Sequence, residues 1–194
     1  PMIASKSAGA IGRARVYSLG KGEPGDITIS SLLGEYLWQQ VFDINRVRKS
    51  LGYVQGGSAA PTQTDSRLFL YGQTEGADRA PQIEEGWQEA LARIPGDTAV
   101  IDRFRQGRIL SGRIIPETLR ARLERRLGIF RLNEDPRGPE ESLQTLRTID
   151  GAKVTEWFAT HFNATTFVDV EVAVTACRDA LSNVTEARKA ISAK

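Results

Sequence analysis

The sequence predicts a mainly α-helical protein: a helical core domain over residues 31–194, built as a bundle, behind an extended N-terminal arm over residues 1–30 that carries a minor β-hairpin. Three observations carry this reading. Leu33, Leu37, Val41, Ile44, Val47 and Leu51 recur at three- and four-residue steps, the spacing of one helix face. A second such stripe, Phe167, Val170, Val174, Cys177, Leu181, Val184 and Ile191, predicts a long helix over about Thr166–Ala190. Residues 1–12, rich in Gly, Ala and Ser, show no periodicity of either kind.

Taken in chain order, Arg13-Ala-Arg15-Val-Tyr17 alternates as a short strand does, Lys21–Asp26 reads as a turn, and Ile27–Ile29 as the returning strand of the hairpin. The helix from Ser31 closes at Gly52, with Arg46, Arg48 and Lys49 in its last turns, where cations complement the helix dipole. Leu32, Tyr36, Trp38 and Phe42 widen its apolar surface, so it is expected to pack on two sides. Residues 55–66 are of low complexity and read as a flexible loop. Leu68–Tyr71 reads as a short strand, and Pro81–Arg93 as a helix burying Ile83, Trp87, Ala90 and Leu91. Asp97 or Thr98 caps the next helix. Pro116 opens a short helix with Leu119, Leu123 and Leu127 on one face and Gly128 behind it. Further helices are expected near 140–148 and 152–162.

Composition narrows the function. The chain has 194 residues, 40% of them hydrophobic, enough for one domain with an ordinary core. No apolar run approaches the roughly 20 residues that cross a bilayer, and the N-terminus lacks the apolar core of a signal peptide. A single Cys forms no intrachain disulfide, which favours a reducing compartment. The expected setting is therefore a virion or the cytoplasm. One His and one Cys supply no zinc-ligand spacing, and no phosphate-loop, dinucleotide or nucleophile-elbow motif is present, so neither a cofactor, a metal nor an enzyme is expected. His161, near a helix end, is expected to bond backbone carbonyls, and Trp38, Trp87 and Trp157 to be core residues.

What remains is charge. Twenty of the 26 basic residues are Arg, and nine fall between Arg103 and Arg131, a stretch holding only Glu117 and Glu124 as acids, although the whole chain carries a net charge of only +2. Arg is a rigid, permanently charged fork suited to phosphate. On a helix after Pro116, Arg122 and Arg126 share one edge of the leucine face while Arg125 lies outward. Upstream, Gly107 and Gly112 free the backbone beside Arg105, Arg108 and Arg113. These six arginines are the candidate nucleic-acid-binding residues, gripping the backbone without reading bases. The reading that follows is a self-assembling structural protein, of viral coat or nucleocapsid type, forming a homo-oligomer or helical polymer around RNA or another nucleic acid. The alternative is a cellular scaffold or adaptor whose arginines pair with acids such as Glu84, Glu85, Glu140 and Glu141 within or between proteins. A third, an enzyme with an Arg-lined anion site, would gather Arg113, Arg122 and Arg126 around one pocket.

Overall fold

A computed structural model of the chain describes residues 10–20, 24–61, 66–113, 118–124, 127 and 138–173. The first described element is strand β1, Ala10–Ser18, which lies inside the sheet and not on an arm. Helix α1, Pro24–Val41, continues directly into a π-helical turn, Phe42–Arg48. Strands β2, Gln55–Pro61, and β3, Ser66–Glu75, follow. Then come α2, Ala80–Arg93, α3, Thr98–Arg113, α4, Gly138–Thr148, α5, Gly151–His161, and strand β4, Phe167–Ala173. The strands stand in the order β2-β3-β1-β4 with every neighbour antiparallel.

Helices cover one face of this sheet. Along β3, Ser66, Leu68, Leu70, Gly72 and Thr74 are buried while the residues between them are exposed or half-buried, the period of a strand with one covered face. Tyr17 of β1 stands opposite Leu68 in the register and shares that covered face. There Leu32, Leu33, Leu37 and Ile44 from α1 and the π-turn join Ile83 and Trp87 from α2 in a single core. The other face carries Val16, Phe69, Tyr71 and Val170, all half-buried, and the exposed Val168.

The predicted helical bundle is therefore corrected: the fold is a two-layer α/β arrangement with a four-stranded antiparallel sheet among the described residues. Three local misreadings explain the difference. Residues 55–61 look like a loop because they are Gly, Ser and Ala, but small residues are what the packing demands. A Cβ on Gly57 would stand 3.0 Å from the Cβ of Leu37, and one on Gly34 would collide with the backbone nitrogen of Ala59. Helix and strand approach too closely for side chains between them. Ile27–Ile29 is not a returning strand, because Pro24 opens α1 and the helix absorbs these residues. The start of the predicted C-terminal helix is β4. Phe167 and Val170 fit a helical step, but Val168 and Val170 alternate with Asp169 and Glu171, and the strand period wins through pairing with β1. The rest of that helix, with Cys177 and Leu181, lies outside the described residues, as do residues 1–9 of the arm.

Other expectations match. Arg13–Tyr17 and Leu68–Tyr71 are strand, and Pro81–Arg93, 140–148 and 152–161 are helix. Asp150 caps α5 by accepting a hydrogen bond from the Lys153 backbone N–H at 2.9 Å. No helix among the described residues is long and apolar enough to cross a membrane.

Candidate functional site: an exposed arginine–tyrosine platform

Among the described residues, the backbone departs most from regular geometry where α1 ends. The π-helical turn, marked by the Lys49 N–H bonding to the Ile44 carbonyl at 3.0 Å, adds a residue to the helical circuit and shifts the register of everything after it. Such turns are rare and concentrate at functional sites. Ser50 then adopts φ 52°, the left-handed region that side chains disfavour, and Gly52 follows at φ 156°, where a Cβ would strike the Gln73 carbonyl.

Buried polar contacts hold this irregular segment in place. The Asn45 side chain, fully buried, donates to Gln55 Oε1 and to the Ile83 carbonyl, each at 3.2 Å. Gln55 in turn donates to the Gln73 carbonyl at 2.6 Å, and Arg79 to the Lys49 carbonyl at 2.9 Å. The π-turn is thus bolted to α2, β2 and β3 at once.

The outcome is a side chain aimed at solvent. Tyr53 is 82% exposed, and the Arg46 guanidinium sits 4.0 Å from the centre of its ring. Val47 and Val54, also exposed, flank the pair in sequence. An exposed tyrosine adds little to a core, and strained backbone is held only where its surroundings compensate for it. Arg over Tyr supplies a flat apolar surface edged with N–H and O–H donors, and both residue types are enriched at protein-binding hot spots. Sequence reading assigned Arg46 to the helix dipole and passed over Tyr53. The signal that could have drawn attention was the Ser50-Leu-Gly52-Tyr53 break directly after a cationic helix end.

Of the six arginines named from sequence, Arg105, Arg108 and Arg122 have described side chains. Arg105 donates to Asp102 at 2.6 Å and to the Leu146 carbonyl at 2.8 Å, tying α3 to α4. Arg108 pairs with Glu35 of α1 at 3.3 Å. Arg122 is exposed on a helical turn in which Arg120 and Glu124 pair at 2.8 Å. Arg113 ends α3, its side chain outside the described residues, where Arg125 and Arg126 also lie. The neighbouring basic spots are paired too: Arg48 with Glu89 at 2.7 Å, Lys49 with Glu85 at 3.4 Å, and Arg13 and Arg15 with Glu84, Asp169 and Glu171. Of the tryptophans, Trp87 is buried and Trp157 donates to Asp26 at 2.6 Å, but Trp38 is 48% exposed and stacks on Phe42. His161 Nδ1 lies 2.8 Å from the Trp157 carbonyl, which only accepts, so Nδ1 carries the proton.

No family model and no curated protein matches the chain. Solved structures do resemble it. A peptidase M16 inactive domain from Pseudomonas fluorescens superposes with a TM-score of 0.68 at 16% identity, over 90% of this chain and 43% of that one. Pitrilysin superposes with a TM-score of 0.67 at 14% identity, over 88% of this chain and 19% of that one. A ferredoxin protease in complex with Arabidopsis ferredoxin does so with a TM-score of 0.69 at 12% identity, over 89% and 20%. At such identities the likeness concerns the fold, and the chain spans less than half the length of each of these neighbours. It overturns the coat or nucleocapsid reading, and with it the all-α, capsid, virion and RNA-coating attributes: the fold is that of peptidase-type domains. The physical source of the error is that a local count of arginines ignores acids distant in sequence. Glu35 lies 73 positions from Arg108 (108 − 35), yet it is its ion-pair partner.

Proposed function

We propose that the chain is a non-catalytic protein-docking domain that works as a scaffold beside a like-folded peptidase-type domain, in a second copy or in another chain, and grips a polypeptide at Arg46–Tyr53. The observation that carries this is the exposed cation–π pair held on a strained, internally bolted π-turn. Peptidases of the H-E-x-x-H and H-x-x-E-H kinds need two histidines on one motif. This chain has one, and it donates to its own helix. A role in binding, with no hydrolytic step of its own, fits that composition, and it agrees with the scaffold alternative in which arginines serve ion pairs between protein groups. The single Cys supports a reducing, cytoplasmic setting as part of the same proposal.

The test uses the full chain and a labelled unstructured polypeptide such as casein. Tyr53→Ala and Arg46→Ala are each expected to weaken binding about tenfold, the loss of an interface anchor of 1–2 kcal/mol. Thermal unfolding should barely move, because both side chains lie outside the core. Binding that survives both substitutions, or casein hydrolysis by the purified chain with added zinc, overturns the proposal.

A further inference from the structure

We infer that the crevice between α1 and α3 is a second docking site, one that takes an acidic, partly apolar polypeptide segment of a partner protein. Two adjoining cavities of about 510 and 520 Å³ share Glu35 and Phe104 as lining and run from α3 to the β2 side of α1, past Trp38. Three features of this crevice are left open or only partly satisfied by the described residues.

The first is Gly107. It stands in the middle of α3, where glycine is the least favoured residue after proline. Several other glycines have an intramolecular reason: a Cβ on Gly34, Gly112 or Gly151 would collide with Ala59, Leu143 or Thr98. A Cβ on Gly107 would meet nothing within 4 Å. Nothing among the described residues explains the glycine, but a body lying in the crevice against α3 does.

The second is Arg108. Its Nε faces Glu35, while its Nη1 is buried with no hydrogen-bond partner among the described residues. A buried guanidinium donor left unmatched is costly, and a carboxylate in the crevice would satisfy it by drawing the guanidinium outwards into a charge-assisted hydrogen bond. The third is Arg103, which lines the same cavity, is exposed, and makes no ion pair among the described residues. Two cations against Glu35 leave the crevice one charge positive, which selects an acidic occupant. Phe104 and the half-exposed Trp38 supply apolar walls. Two arginines, one of them already paired, are too few to track a phosphodiester backbone, so the chemistry points to a polypeptide.

The experiment measures fluorescence anisotropy of two labelled dodecapeptides, one of leucine and glutamate and one of leucine and lysine, with the full chain at low and high ionic strength. The leucine–glutamate peptide is expected to bind at least about tenfold more tightly, with the preference shrinking in high salt. Gly107→Leu fills the crevice with a better helix former, so it should keep or raise the unfolding temperature while weakening the peptide about tenfold. Arg108→Glu should move the preference towards the leucine–lysine peptide. The same measurements repeated in the Tyr53→Ala background remove the platform, so that failure here and failure of the Arg46–Tyr53 proposal are read separately. Equal binding of the two peptides, no binding of either, undiminished binding by Gly107→Leu, or displacement by oligothymidylate overturns the assignment.

Discussion

Arg15 shows how one residue can hold an edge of the molecule. It is 7% exposed and lies 4.1 Å from the Phe167 ring and 5.9 Å from the Trp87 ring. It donates to both oxygens of Asp169, at 2.6 and 2.9 Å, and to Glu84 at 3.0 Å. The Asp169 hydrogen bond raises an already high pKa against the opposing effect of burial, so the charge is permanent. Arg15→Met keeps the apolar stem but takes the partner from Asp169, while Glu84 keeps Arg13. Because Asp169 and Glu84 are partly exposed and can rehydrate, the expected loss is about 2 kcal/mol, below that of a fully buried pair. Urea unfolding measures it, and a change under about 0.5 kcal/mol would mean the clasp is ornamental. Gly86 makes a complementary case. Its Cα faces the Asn45 amide, so Gly86→Ala must displace the side chain that bolts the π-turn down. A loss of about 1–3 kcal/mol is expected from overpacking, and weaker polypeptide binding at the Arg46–Tyr53 platform should accompany it.

At the scale of elements, α2 and α3 are fastened by acids whose titration is linked to folding. The Arg48 hydrogen bond holds the Glu89 carboxyl below its usual range, and the Arg105 hydrogen bond does the same for Asp102. A depressed folded pKa means the stabilisation is complete above the unfolded carboxylate value of about 4 and is lost as pH falls through the folded one. The double variant Glu89→Gln, Asp102→Asn should therefore be less stable than the parent at neutral pH, and the two stability curves should converge on acidification. Curves that stay parallel to the lowest pH measured would show that these pairs do not couple folding to protons. Tyr36 works at the other end of the scale. Burial and its 2.6 Å hydrogen bond to Asp97 push the phenol well above its ordinary value. Its contribution is present below the unfolded phenol value of about 10 and fades in stronger alkali.

At the scale of the whole molecule, the sheet leaves one face with Phe69, Tyr71, Val168 and Val170 outside the helical layer, and the fold recurs in chains more than twice as long. The docking role proposed above predicts a defined complex with a like-folded domain and no accumulation of nucleic acid. Analytical ultracentrifugation at two concentrations, with the ratio of absorbance at 260 and 280 nm, checks both expectations. A large particle rich in nucleic acid would restore the reading that the fold has displaced.

The sequence by itself determined the amphipathic helices and the strands whose patterns are local. Pro81–Arg93 is legible because Ile83, Trp87, Ala90 and Leu91 fall on one helical face, and that face is buried. Arg13–Tyr17 is legible as strand because its alternation survives in the register with β3. Tertiary structure alone decided that β1 is an inner strand, that the Gly-Gly-Ser-Ala segment is β2, and that Phe167–Ala173 extends the sheet. Each of these depends on a partner far away in sequence: Leu37 against Gly57, Arg15 against Asp169. The sites follow the same division. Arg108 could be named from composition, but its Glu35 partner and the open space beside Gly107 exist only once α1 and α3 are packed. Tyr53 is exposed because a π-turn and a left-handed serine redirect the chain, and that strain is stable only where Asn45 of the turn bonds Gln55 and Ile83 and Arg79 bonds the Lys49 carbonyl.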